Sequence, residues 1–516
     1  GIRDIGVTGV QTCALPILAN VALPDIGRAL DATQTELTLV AVGCTLGLAM
    51  SVLYFGAIGD RHGRKGMLLL GLLLTLPASA VSAWAVSSGM LVAGRIFTGL
   101  AAGMAYPTTL ALITALWAEG PARVKAIALW SGTSGGAAVL GPVIAGWLLE
   151  YFWWGSVFLI AVPLAVIGLI MVWILIPSKV GESTKPVDHI GGAISVLMIA
   201  ALVMGIGLIS SPDRLTAALI LIASAAILVL LFGWREMKAR NPMYDLHYAR
   251  RRLFWVPALA GMIVFGSLVG SMFIGQQFLQ NVLGYSTFGS GTAILPAALG
   301  LILAAPISAR LVVRVGSRDT LLLGYAFIFP AFLVMLIAWG EGTSYAWVGL
   351  AYFLVGAGAG LALTPAARSL TGSVPVTKVG MASGTSDLQR DLGGSIMQAL
   401  LGALLTLGYA TAFSNQIAGS PAADQVSQST QSALTQSYSS AATLAEGYPQ
   451  YQEQIVSAAQ KSFLEGANWA YFAGAVAIVL GAILVATCFP GRKKEAATLK
   501  QYEAADAAVD AAAEGA

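Results

Sequence analysis

Long apolar runs, closed by Gly, Pro or small groups of Lys and Arg, make up most of this 516-residue chain. A window of ~19 residues, suited to helices that cross lipid, picks out fourteen of them. They lie at 10–24 (partial), 37–58, 67–86, 91–116, 124–148, 155–176, 190–210, 215–234, 253–275, 290–312, 319–339, 345–367, 380–412 and 467–489. Most match or exceed the ~20 residues a helix needs to cross ~30 Å of hydrocarbon. The pattern predicts an all-α, polytopic membrane protein. Two stretches break the rhythm. Residues 413–466, rich in Ser, Gln and Ala, read as an outward loop with short amphipathic helices at 435–446 and 449–464. Residues 495–516, rich in Ala, Glu and Asp, read as a solvated cytoplasmic tail.

Composition agrees: the chain is 57% hydrophobic and only 10% charged, where soluble domains carry about 25% charged residues. The placement of charge says more than its net value of +3. Alternate loops hold 22 of the 28 Lys and Arg residues, among them Arg61, Arg64, Lys65, Lys179, Lys185, Arg310, Arg314 and Arg368, against Arg28, Arg214 and Lys461 on the other face. Lys and Arg gather on the cytoplasmic side, so both ends of the chain are expected there. Cys13, Cys44 and Cys488 are scattered in apolar stretches and suggest neither a disulfide framework nor a metal site. Residues 1–17 lack the charged and apolar regions of a signal peptide and resemble translated sequencing-adapter read-through. They are read as a non-native leader, with the first span damaged or replaced.

The densest charge between two runs is Gly56-Ala-Ile-Gly-Asp-Arg-His-Gly-Arg-Lys65. Gly56, Gly59 and Gly63 allow a tight turn and close helix approach. Asp60 can receive a helix end, while Arg61, Arg64 and Lys65 can pair with acids on neighbouring helices. Such a cluster can lock one conformation and release it in another; it can equally be a solvated cytoplasmic turn. The pattern G-x-x-x-D-R-x-G-R-K resembles the loop after the second helix in major facilitator transporters. A partial echo at Arg310-Leu-Val-Val-Arg-Val-Gly-Ser-Arg318 fits the internal repeats of transporter folds.

Three further places resemble that family. Arg95, near the start of the 91–116 run, either snorkels to the outer interface or faces a cavity or partner. Its pattern R-x-x-x-G-x-x-x-G is similar to the family's fourth-helix motif, whose Arg is linked to proton transfer. In the 124–148 run, Gly132, Gly135, Gly136, Pro142 and Gly146 gather on one helical face with Gly141 opposite. This allows close packing and resembles the antiporter motif of exporters, with Ala137 and Ala145 in place of two glycines. In the 380–412 run, Gly380, Ser383, Gly384, Asp387, Arg390, Asp391, Gly394 and Gln398 form one stripe. Two acids four residues apart with an Arg between them could hold a proton or a cation. Residues 392–413 alone suffice to span, so Asp387 to Asp391 either begins a helix in the cytosol or lies inside the membrane. Fourteen-span quaternary-ammonium efflux pumps are similar here, with two acids four apart in the thirteenth helix.

Smaller matches are Asn20-Val-Ala-Leu-Pro24, Gly284-Tyr-Ser, Leu295-Pro296 and Tyr151-Phe-Trp-Trp-Gly155. The family's first-helix acid falls at Leu15 in this chain. The resemblance implies a major facilitator fold with an N-terminal bundle over 18–176, two inserted helices within 177–252, a C-terminal bundle over 253–490 and a tail over 491–516. It implies proton-coupled efflux of lipophilic, cationic drugs across a bacterial cytoplasmic membrane, with Asp387 and Asp391 carrying protons, Arg390 tuning them and Arg95 assisting release. Aromatic faces at Tyr54, Tyr106 or Trp130 could meet a cation. No cofactor, metal, enzymatic activity or nucleic-acid partner is expected. The expected partners are a small-molecule substrate, protons and the bilayer, and the chain is expected to be a monomer. An exporter or importer of another small metabolite on the same scaffold and a non-transporting sensor remain the alternatives.

Overall fold

The computed structural model describes residues 22–23, 25–27, 29–30, 32, 34–118, 120–177, 186–209, 214–420 and 427–514. Residues 1–17, most of the 10–24 run, Arg28, Lys179, Lys185 and the Pro142 side chain lie outside the described part. Regular structure in the described residues is helical. The first half holds α1 (Gln34–His62), α2 (Arg64–Ala83), α3 (Ser88–Leu116), α4 (Pro121–Tyr151) and α5 (Ala161–Leu175). The inserted pair is α6 (His189–Ile209) and α7 (Leu215–Lys238). The second half runs through α8 (Arg252–Asn281), α9 (Leu295–Val315), α10 (Ser317–Ala338), α11 (Tyr345–Gly372) and α12 (Val379–Ala418). After the short α13 (Gln428–Gln436) and α14 (Tyr438–Glu446) come α15 (Gln452–Cys488) and α16 (Arg492–Glu514).

Twelve of the expected spans coincide with helical stretches among the described residues that are long and apolar enough to cross a membrane. The 124–148 run lies within the 31-residue α4. Large apolar side chains such as Ile337 (80% exposed) and Leu230 (75%) point outward, where hydrocarbon is the solvent. Small residues face inward and let backbones touch. A methyl carbon on Gly47 would stand 2.2 Å from the Ile96 carbonyl oxygen, and one on Gly99 would stand 2.1 Å from that of Cys44. Only glycine lets α1 and α3 cross this closely. The echo between the halves also has a structural core. Gly63 (φ 113°) and Gly316 (φ 100°) both take left-handed backbone between consecutive helices, a conformation that disfavours other residues.

The outward segment differs from its expected form. The 40-residue α12 and the 37-residue α15 are ~60 and ~55 Å long at 1.5 Å per residue, about twice what a bilayer requires. Residues 449–464 are therefore mostly the first turns of α15, and 435–446 is divided between α13 and α14. The protruding ends are tied by Gln416 Nε2 donating to Ser462 Oγ (2.8 Å) and Tyr409 Oη to the Leu434 carbonyl (3.0 Å). The tail differs too: α16 is docked. Glu495 accepts from Ser317 Oγ (2.6 Å), Ser317 N (3.1 Å) and Arg368 (3.0 Å), and Asp506 pairs with Arg251 at 2.5 Å. Few large apolar residues mark α16 in sequence, and it is held by charge pairing together with Leu499 and Tyr502 packed on the core of the second half.

The inserted helices pack on each other, and α6 also touches α1 and α12, so the pair bridges both halves. Asp188 organises one end of the pair, accepting from the Ile190 and Gly191 amides at 3.1 Å and from Arg235 at 3.0 and 2.9 Å. Burial acts to raise the Asp188 carboxyl, but the Arg235 hydrogen bonds, the amide donors and the guanidinium charge outweigh it and hold the pKa below its ordinary value.

Candidate functional site

The charged loop at 56–65 is a clamp between the halves. Asp60 closes α1 and its Oδ1 accepts from Arg64 Nε (3.0 Å) and Nη2 (2.8 Å) at the start of α2. Its Oδ2 accepts from the Gly380 amide at 2.8 Å. That amide lies in the first turn of α12, where unpaired N–H groups and the helix dipole favour an anion. Arg64 Nη2 also donates to the Val376 carbonyl (2.8 Å) in the segment leading into α12. A methyl carbon on Gly380 would meet the Asp60 carboxylate at 2.3 Å and one on Gly56 would meet the Gly380 carbonyl at 3.0 Å. Lys65 instead donates to the Trp173 (2.9 Å) and Ile176 (2.5 Å) carbonyls at the end of α5. Arg61 is exposed. Asp60 and Arg64 are buried, so this is no solvated turn: the two halves are latched on this face.

The acidic stripe of α12 lies at the seam of the halves. Asp387 is 0% exposed and both of its carboxylate oxygens lack a hydrogen-bond partner. Asp391, one turn on, is half-buried, with its Oδ2 likewise unpartnered. Arg390 is buried and reaches into the first half, donating to Tyr106 Oη and lying 4.5 Å from the Trp130 ring centroid. Trp130 is fixed in turn by its Nε1 donating to Thr109 Oγ1 at 2.9 Å. Arg390 thus joins α12 to an aromatic pair on α3 and α4. The sequence brought Tyr106 and Trp130 forward only as candidate cation faces; their pairing with Arg390 spans 284 and 260 residues and leaves no local signal. Tyr54 goes elsewhere, its hydroxyl 2.8 Å from His189 Nδ1 on α6.

Arg95 is 0% exposed and so does not snorkel. Its Nε donates to the Val40 carbonyl (3.3 Å) and its guanidinium lies 5.4 Å from the Phe158 ring centroid. The Cys44 thiol lies within electrostatic reach of both Arg95 and Asp391, which places the two charges around one part of α1. The glycine face of α4 meets the second half. A methyl carbon on Gly132 would stand 2.8 Å from Ala305 Cβ, on Gly136 3.2 Å from Ile302 and on Gly146 3.3 Å from Phe288. Gly141 is also buried. No group of three or more His, Cys, Asp or Glu able to hold a metal occurs among the described residues.

Known proteins give the arrangement a family. The profile described as Major Facilitator Superfamily matches residues 12–398, beginning inside the stretch set aside as a leader. Multidrug efflux pump LfrA of Mycolicibacterium smegmatis is 30% identical over 400 residues, 78% of this chain and 78% of that protein. Drug efflux pump JefA of Mycobacterium tuberculosis is 28% identical over 488 residues, 92% of this chain and 94% of the relative. Among solved structures, the proton:xylose symporter XylE aligns with a TM-score of 0.57 at 12% identity, covering 95% of each chain. With one profile matching most of its length and the same fold in a known transporter, this chain belongs to the Major Facilitator Superfamily.

Proposed function

We propose that the protein exports lipophilic, cationic compounds in exchange for protons across the bacterial cytoplasmic membrane. It would do so as a fourteen-span monomer with both termini in the cytoplasm and no cofactor beyond the proton gradient. The observation that carries this reading is Asp387, a fully buried carboxyl with neither oxygen hydrogen-bonded. A bare carboxylate in such a place costs several kcal/mol. A bound proton, or a cation beside it, removes that cost. One acid for which a proton and an organic cation compete is the simplest exchanger.

The neighbouring contacts supply the coupling. Arg390 holds Tyr106 and Trp130, so a change of charge at Asp387 or Asp391 acts on a contact between the halves. Arg95, beside the same part of α1, would assist proton release. The Asp60–Arg64–Gly380 clamp would open when the cytoplasmic side admits substrate, giving alternating access. Relatives named as multidrug efflux pumps support drugs as the cargo. XylE has the same fold, so the fold alone does not separate export from import.

The test is dye efflux in everted vesicles under an imposed pH gradient. Asp387→Asn and Asp391→Asn should each lower gradient-driven transport at least about tenfold, the ratio given by ~1.4 kcal/mol, with normal membrane insertion. Transport by both variants at the parent rate, or transport indifferent to collapse of the gradient, would remove the proposed coupling.

A further inference from the structure

A second feature of the seam stands apart from the acidic stripe. Between α4 and α9 runs a groove of about 770 Å³, walled further out by Ile160, Ala161 and Leu164 around the start of α5. Its floor is formed where Gly132 packs against Ala305. The lining is apolar almost throughout, and rim residues such as Leu129 (46% exposed) and Ile302 (47%) are open to the surroundings. Lys125, Arg310 and Arg314 line one end. All three lie on the face that the Lys and Arg distribution makes cytoplasmic. Among the described residues none of the three meets a carboxylate. From Lys125 to Ile144 the groove follows 19 residues of α4, ~29 Å at 1.5 Å per residue, close to the full hydrocarbon thickness.

We propose that this groove binds one anionic phospholipid from the cytoplasmic leaflet, its phosphate held by Lys125, Arg310 and Arg314 and an acyl chain laid along α4 and α9 towards Gly136. Charge decides the occupant. Three cations lining one end of the groove, with no carboxylate partner among the described residues, attract a phosphodiester and repel a cationic cargo. The apolar length beyond them exceeds the ~15 Å depth of one leaflet, so a chain anchored at this end fits within it. The lipid then lies between the halves, where it must be accommodated each time they move.

The full-length chain, stripped of lipid in a neutral detergent, is titrated with phosphatidylglycerol or phosphatidylcholine of the same acyl chains, and bound lipid is counted by native mass spectrometry. Phosphatidylglycerol should be retained at least about tenfold more strongly, as three cations at an anionic headgroup imply. The triple variant Lys125→Gln, Arg310→Gln, Arg314→Gln should lose that preference. Lys493→Gln, Lys494→Gln, Lys500→Gln, which removes equal charge from exposed positions of α16, should keep it. Glycerol phosphate at millimolar concentration should not displace the lipid. Equal retention of the two lipids, equal loss in both triple variants or displacement by glycerol phosphate would each overturn the assignment. So would competition of a lipophilic cation for the bound lipid, which would make the groove a cargo route.

Discussion

At the residue scale, Arg390 shows how one side chain takes its role from what it touches. It lies between two acids in sequence, yet its guanidinium is directed onto Tyr106 and over Trp130. Arg and Lys are not equivalent at such a position, because the planar cation stacks on an indole and presents a fixed fork of donors. Arg390→Lys keeps the charge and should still lower gradient-driven dye efflux severalfold while leaving expression and insertion unchanged. Parent-level efflux in that variant would mean that only the charge is needed. Sequence reasoning placed Arg390 on this stripe beside two acids but gave no sign of Tyr106 or Trp130, because a helical wheel records neighbours along one helix and nothing across the seam.

At the scale of elements, the inserted pair α6–α7 is held at one end by Asp188, which receives two amides and the Arg235 guanidinium. Its pKa is depressed in the folded protein. Its contribution is therefore fully present above the ordinary carboxylate value of ~4 and is lost as pH falls through the lower folded value. Thermal melting of the detergent-solubilised protein should show Asp188→Asn below the parent at pH 7, by an amount of order 1–2 kcal/mol for charge-assisted hydrogen bonds. The two curves should converge as pH falls below that lower folded value. A gap that persists there would assign the effect to shape rather than charge. Nothing in sequence ties Asp188 to Arg235, 47 residues on, whereas the helices themselves were plain from their apolar length.

For the whole molecule, the halves meet along two seams, α4 against α9 and α1 and α3 against α12, and the latch at Asp60 closes one end of the second. Asp60→Asn keeps the shape but removes the charge-assisted bonds to Arg64 and to the α12 terminus, each of order 1.5–3 kcal/mol. A shift of about 1.4 kcal/mol moves a two-state balance tenfold. Cysteines introduced as Ala57→Cys and Thr377→Cys, which line one small pocket beside the latch, should therefore cross-link through a short bifunctional reagent much less in the Asp60→Asn background. Unchanged cross-linking would mean that apolar packing holds this face shut by itself.

The sequence by itself determined that this protein lives in lipid, where most of its long apolar helices fall, the loops in which its cations cluster and the turn glycine Gly63. Each of these follows from local properties: apolar length, the cost of charge in hydrocarbon and the freedom of a residue without a side chain. It also marked Asp60, Arg95 and Asp387 as costly residues in need of partners. Only the tertiary structure decided those partners: Gly380 for Asp60, Val40 for Arg95 and, among the described residues, no hydrogen-bond donor for Asp387. It alone turned residues 449–464 into the beginning of α15 and docked α16 by its acids. The physical reason is the same throughout. Helix formation is settled within a few turns of chain, whereas the pairing of a buried charge depends on which of many similar apolar helices comes to lie beside it.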